Sequence, residues 1–369
     1  MTSRDRVLTA LEHKETDIVP FSLGFGINYP AKRTLAEYMK IGMEELDKIL
    51  GSLTDIRHVG PKYTGPKDRN ISFPDGSYLD MWGVLRSPKA NANDTYMEIS
   101  GYPLADMTAP DELEDYIFPS VEWFDFSVIP DQIEAAAQTG DHALMASGGN
   151  IFESSWYMRG LENMFADLIE EKEFACRLIN KVTDFFVSYS QKILEAGKGR
   201  IDLYFTADDI GGQSDLLMSL PLWEEMLKPY HKKLNKVIRG YGAKVVYHSD
   251  GAVMKAVDGL IDMGIDVLEA LQFDAAGMDP AALKDMAGGR LSFHGGVSVQ
   301  STLPFGTPEE VEAEVKERVR VLGKNGGYIL APSHAIQAGT PPENIYAFLK
   351  AAGMGSIGKA ATESYYKLR

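Results

Sequence analysis

Several polar residues that could carry chemistry stand at the ends of short apolar runs. The runs end in Asp208-Asp209, in His248-Ser-Asp250, in Glu269 followed by Gln272, in His294, and in Ser333-His334. His248, Asp250, Glu269 and His334 are all competent zinc ligands. His248 and Asp250 are two apart, so at an extended strand end they point to the same side. Imidazole and carboxylate donors without a thiolate suit zinc, and equally iron, manganese or cobalt. Each residue also has a plainer reading. Asp250-Gly251 reads as a loop turn whose Asp caps the next helix, and Glu269 as the partner of a lysine or arginine. Asp208 and Asp209 are the candidate catalytic residues. Adjacent carboxylates in a cleft repel, which raises one of them into the range for acid–base work. The alternative for this pair is a helix cap plus a substrate hydrogen bond.

A second group of residues suits substrate binding. In Ser147-Gly-Gly-Asn150-Ile-Phe-Glu-Ser-Ser-Trp156, the glycines let backbone approach a ligand. The stretch lacks the Lys and Ser/Thr of a phosphate-binding loop. Asn150, Gln213 and His294 supply polar contacts. Phe152, Trp156 and Tyr204 either wall a flat aromatic or macrocyclic substrate or belong to the core.

These residues need elements to hold them. From about residue 142 onward, apolar runs alternate with amphipathic ones. The runs begin at His142, Asp202, Lys244, Ile265, Leu291 and Gly327. Asp17-Ile-Val-Pro-Phe-Ser-Leu-Gly24 supplies a first strand. Helical patterns lie between them, over Met158 to Ala196 as two helices, Pro221 to Tyr241, Val253 to Met263 and Thr307 to Lys324. Thr307-Pro-Glu-Glu opens the last of these with a capping residue and a first-turn proline. Near-continuous apolar strands each followed by a helix imply a parallel sheet covered on both faces. The number of strands favours an α/β TIM (β/α)8 barrel over a doubly wound sheet, and no strand leads into Gly-x-Gly-x-x-Gly. In such a barrel the strand ends converge on the active site. Residues 26 to 135 are less regular and contain a hairpin around Pro74-Asp-Gly76. They read as an N-terminal elaboration over the barrel mouth, within a single domain of residues 1–369.

Composition narrows the function. The net charge of −16 opposes nucleic acid and anionic membranes, which both need a basic footprint. No apolar run is long enough to cross a membrane, and the N-terminus has no signal-peptide core, so a cytoplasmic protein is expected. The single cysteine, Cys176, excludes an internal disulfide and a multi-cysteine zinc site. On its amphipathic helix it reads as a small buried apolar residue rather than a catalytic thiol.

The same motifs carry a family resemblance. Ser3-Arg-Asp-Arg-Val-Leu-Thr-Ala-Leu-Glu through Val19-Pro20, Asp208-Asp-Ile-Gly-Gly-Gln213, His248-Ser-Asp-Gly251, Gly326-Gly-Tyr-Ile-Leu-Ala-Pro-Ser-His334 and Thr340-Pro-Pro-Glu-Asn-Ile345 resemble the uroporphyrinogen decarboxylase superfamily, in its methyltransferase-like branch. The resemblance implies a TIM barrel. The decarboxylases carry an Arg-rich motif near the N-terminus, but after Pro20 this chain reads Phe-Ser-Leu-Gly-Phe-Gly-Ile-Asn-Tyr-Pro, without arginine. The methyltransferases hold zinc through a His-x-Cys strand end and a later Cys, and related methionine synthases add a Glu. His248 matches the His and Asp250 replaces the first Cys. Glu269 falls at the Glu spacing, and His334 lies near the last Cys. Two thiolates are thus replaced by harder donors, which suit polarising an ether or phenol oxygen.

The resemblance therefore implies a corrinoid-dependent methyltransferase of the O-demethylase type. A methoxylated aromatic is the first methyl donor to consider, with zinc or another divalent metal on His248, Asp250, Glu269 and His334. Asp208 or Asp209 would protonate or position the leaving oxygen. The cobalt of a partner corrinoid protein would take the methyl group. Homodimer formation is left open. The competing activity is a metal-independent decarboxylase of a small acid, with Arg57, Lys62 and Arg159 as its carboxylate-binding cations. A non-catalytic binding protein is the third reading.

Overall fold

The computed structural model describes residues 1–91 and 94–354. Its centre is a curled sheet of seven parallel strands. They are β1 (Ile56–His58), β2 (Ala143–Ser147), β3 (Leu203–Ala207), β4 (Lys244–His248), β5 (Val267–Ala270), β6 (Ser292–Val297) and β7 (Tyr328–Pro332), adjacent in that order. Every neighbouring pair is parallel. Parallel neighbours need crossovers, and helices supply them. The helices used below are α1 (Ser3–Leu11), α2 (Ile151–Arg159), α3 (Lys172–Gly197), α4 (Lys228–Gly240) and α5 (Pro308–Leu322).

The expected strand positions agree with the structure from residue 142 onward. The first strand differs. Asp17–Gly24 contributes only an isolated parallel bridge, Phe21 to Leu330. Ser22 N donates to Leu330 O, Leu330 N to Pro20 O, and Asp55 N to Phe21 O. The segment thus hydrogen-bonds to β7 on one side and to the residue before β1 on the other. Pro20 has no N–H to extend a ladder. The true first strand, β1, is three residues long with a charged Arg57 at its centre, too short for an apolar run to stand out.

Helices follow the expected patterns with extra breaks. Met158–Ala196 is divided among the end of α2, a short helix Leu161–Asp167, and α3. Gly160, at φ +91°, ends α2. α5 starts with a full capping box between Thr307 and Glu310. The Pro-Asp-Gly hairpin is present, with Ile71–Ser72 antiparallel to Tyr78–Leu79 and Gly76 at φ +83°. It belongs to a four-stranded antiparallel sheet completed by Leu85–Ala90 and Thr95–Gly101. Among the described residues no helix is long and apolar enough to cross a membrane.

Two apolar clusters position the strand ends. The larger lies between sheet and helices. The smaller joins Val7 and Leu11 of α1 to Ile56, Ala143, Met145, Leu203, Val246, Val267 and Ile329. These are alternate strand residues, so they lie on the concave face of the sheet. His58, His248 and Glu269 follow Ile56, Val246 and Val267 by two positions. They continue the same face past the apolar layer, toward the C-terminal ends of the strands.

Candidate metal centre and active site

His248, Asp250 and His334 each offer one ligand atom, and these atoms lie within 4.8 Å of one another. The site is built from two strand ends. His248 is the last residue of β4, and His334 follows β7 by two residues. The loop carrying Asp250 is held against the loop after β3. Asp250 N donates to Asp209 Oδ1 at 2.8 Å, Gly251 N to Gln272 Oε1 at 2.8 Å, and Ala252 N to Gly212 O at 2.8 Å. Gly251 is at φ +84°, and a Cβ there would meet Gly211 C at 2.5 Å. Asp250 does not cap a helix, since the next helical turn starts at Met254 with Val253 at its cap.

Glu269, expected among the ligands, stands opposite His248 in register. It is not part of the three-residue ligand group. Its Oε2 hydrogen-bonds to His248 Nδ1. That bond places the imidazole proton on Nδ1 and leaves Nε2 for a metal, the carboxylate–histidine arrangement common behind metal ligands. Two imidazoles and a carboxylate fit a divalent ion with open positions. Burial alone would lower the His248 imidazolium, but Glu269, with Asp250 and Asp209, raises it to about 9. Burial would raise Glu269, yet His248 and the other nearby histidines hold it below its usual value. Burial raises Asp250, against the pull of His248.

The remaining expected residues divide. Asp209 is at the site, with Oδ1 at 3.6 Å from His248 Nε2. Asp208 is fully buried and spent on architecture. Its oxygens accept from Phe152 N at 2.7 Å and Glu153 N at 2.8 Å, at the start of α2, and it bonds His231 of α4. Of the two carboxylates, only Asp209 has access to the strand-end site. Phe152 and Tyr204 are each 0% exposed, so neither can wall an open cavity, and the core reading applies to both. Trp156 is half-buried, with its ring centroid 4.3 Å from that of Tyr157. Asn150 Nδ2 donates to Glu153 Oε2 at 2.6 Å, and Gln213 Oε1 accepts from Gln272 Nε2 at 3.2 Å. His294 is buried beside Glu269, its Nδ1 at 3.8 Å from Oε1, and burial lowers it. Both His294 nitrogens and Glu269 Oε1 are buried without a protein partner.

Three residues at the site escape sequence reasoning. Phe25 stacks on His334 with centroids 4.7 Å apart and meets His248 edge-on at 4.9 Å. It stands between Gly24 (φ +54°) and Gly26 (φ +83°), so a Gly-Phe-Gly turn presenting a ring was the available signal. His58 lies on the concave face but on the unrecognised β1. Glu153 accepts hydrogen bonds from Asn150 and from Tyr157 Oη at 2.9 Å. Burial, then the nearby Asp208 and Asp209, raise its carboxyl to about 7.

A cavity of about 220 Å³ opens on the site. Asp250, Gln272, Val299, Gln300, Ser333, His334 and Gln337 line it. Gln300 also borders a shallower hollow of about 430 Å³ beside Phe305, which is 85% exposed.

Comparison with known proteins places this site in context. The profile of the family described as Uroporphyrinogen decarboxylase (URO-D) matches residues 106–354. A methylated-thiol–coenzyme M methyltransferase of Methanosarcina mazei is 28% identical over 200 residues, covering 54% of this chain and 50% of the relative. The methylcobamide:CoM methyltransferase MtaA of Methanosarcina barkeri is 29% identical over 205 residues, covering 53% and 56%. A uroporphyrinogen decarboxylase of Anaeromyxobacter dehalogenans is 30% identical over 132 residues, 35% of each chain. The chain spans about half the length of the curated methyltransferases it matches. In three dimensions it is similar to a methyltransferase from Methanosarcina mazei, with a TM-score of 0.67 and 21% identity, covering 96% of this chain and 99% of that one.

Proposed function

The chain belongs to the uroporphyrinogen decarboxylase family, and from that premise we propose that it is a metal-dependent methyltransferase working with a corrinoid protein. The observation that carries the proposal is the convergence of His248, Asp250 and His334, with Glu269 fixing the His248 tautomer. A divalent ion held there would supply Lewis-acid polarisation of the atom that carries the methyl group. The protein's own residues do the rest. Glu269 keeps the proton on His248 Nδ1. Asp209, accepting a hydrogen bond from Asp250 N, holds the ligand loop beside His248. Phe25 covers the two imidazoles and limits water around them. The relatives' names supply the methyl chemistry and the corrinoid partner. The donor set supplies the preference for oxygen over sulfur, since two imidazoles and a carboxylate are harder than thiolates. A methoxylated aromatic, demethylated at oxygen, is therefore the donor we favour, with zinc as the first metal to test.

The same reading extends to the architecture. We take the Phe21 segment, bonded to β7 and to Asp55, as the eighth position that closes the sheet into a barrel. The antiparallel sheet before β2 is its elaboration, and the whole is one cytoplasmic domain. The decarboxylase alternative loses its cations. Arg57 donates to the carbonyls of Gly51, Thr54 and Ile56. Arg159 is buried against Asp167, and Lys62 is exposed. None of the three lines the cavity.

The test is metal content by mass spectrometry, with His248→Ala and His334→Ala alongside. About one ion per chain, lost in both variants, is expected. A wild type that carries no metal and takes up neither zinc nor iron on titration would overturn the proposal.

A further inference from the structure

Charge around the candidate metal separates this site from one built for an anionic substrate. Three carboxylates surround it. Asp250 is a ligand, Glu269 bonds His248, and Asp209 lies 3.6 Å from His248 Nε2. A dication on neutral imidazoles still leaves the group with one net negative charge. Among the described residues lining the cavity, the others are neutral, and no lysine or arginine is present. A carboxylate or sulfonate brought in here would be partly desolvated without a cation to pair with, beside like charges. A neutral group fares differently. Ser333 Oγ lines the cavity, is buried and has no protein partner, so it can hydrogen-bond an uncharged oxygen. Phe25, Val299 and the His334 ring offer apolar and aromatic surface. At about 220 Å³ the cavity is below the usual range for drug-sized ligands, which suits a single small ring or shorter chain.

We infer that this site takes a small methyl donor or acceptor without an anionic group, and discriminates against carboxylate- and sulfonate-bearing analogues of the same size. The inference rests on the methyltransferase reading of the site and specifies its substrate class. It separates this chain from relatives whose names specify coenzyme M, a thiol that ends in a sulfonate.

Calorimetric titration of the zinc-loaded, full-length protein with two matched pairs tests it. The aromatic pair is 2-methoxyphenol and 4-hydroxy-3-methoxybenzoate. The thiol pair is 2-mercaptoethanol and 2-mercaptoethanesulfonate. The neutral member should bind at least about tenfold more tightly, the scale expected for one unpaired charge in a partly desolvated site. Gln300→Lys, at the cavity rim, should recover most of that loss for the anionic members, which a filter acting on size alone would not allow. If an anionic member binds as well as its neutral partner in wild type, the inference is overturned while the methyltransferase reading stands. If the thiols show the preference and neither aromatic binds, the charge inference is supported and the aromatic ether is the part that fails. If no member of either pair binds, the inference falls.

Discussion

At the scale of single residues, the site shows how a partner's position changes a residue's task. Glu269 has the type and spacing of a ligand and also bonds His248 Nδ1, the position from which a carboxylate would orient a ligating imidazole. Asp208 and Asp209 are neighbours in sequence, but alternate side-chain directions send one to the start of α2 and the other to the strand-end site. A third carboxylate, Glu153, which no spacing rule picked out, is raised by burial first and by both aspartates second. Its carboxyl is held near 7, against an ordinary value of 4.5. The folded state therefore keeps a proton that the unfolded chain releases between those values. Stability from this group is fully present below about pH 4.5 and is lost as pH rises through about 7. Glu153→Gln imitates the protonated form at every pH. Urea unfolding at pH 5 and pH 8 should show the variant gaining on wild type by roughly 1–3 kcal/mol across that interval, with 3 as a ceiling set by the shift. Parallel stabilities at the two pH values would show that Glu153 titrates normally.

At the scale of elements, the strand ends were the legible part of the site. β4 stops at His248 and β7 runs into Ser333-His334, as the apolar runs indicate, whereas Glu269 and His294 lie inside β5 and β6, which continue to Ala270 and Val297. What could not be read was contact between loops. The loops after β3 and β4 cross back to back at Gly211 and Gly251, and that crossing places Asp250 beside His248 and His334. A Cβ on Gly251 would lie 2.6 Å from the Gly211 and Gly212 carbonyl oxygens, and at φ +84° any side chain is strained. Gly251→Ala must therefore push the two loops apart. We expect a stability loss of at least about 1–2 kcal/mol from the backbone conformation alone. Zinc affinity should fall as Asp250 moves, measured by competition with a chromophoric chelator. Unchanged affinity in a destabilised variant would mean that Asp250 is not a ligand. Phe25 was hidden for a related reason, since an aromatic in a loop carries no periodicity and only its seat on His334 gives it a role.

At the scale of the whole molecule, the segment around Phe21 forms a seam between the two edge strands of the sheet, bonding β7 on one side and Asp55, just before β1, on the other. β1 was invisible as a strand, and the segment expected to be one supplies only a bridge, so the seam could not be derived from patterns of hydrophobicity. It is held by charge. Asp55, just before β1, accepts from Phe21 N through Oδ2 at 2.8 Å and from Arg6 of α1 through Oδ1 at 2.8 Å. Arg6 also bonds Asp17, and Arg4 pairs with the buried Asp202 before β3. α1 is thereby tied under the sheet while Val7 and Leu11 fill its concave face. Removing Arg6 leaves the Asp55 carboxylate buried without its cation, the circumstance in which breaking a pair costs most, on the order of 3 kcal/mol. Arg6→Leu should therefore lower the urea midpoint strongly. Arg6→Leu with Asp55→Asn should recover a large part of the loss, because the amide oxygen can still accept from Phe21 N and no charge is stranded. If the double variant is no more stable than Arg6→Leu alone, the seam is held by packing of α1 rather than by the ion pair.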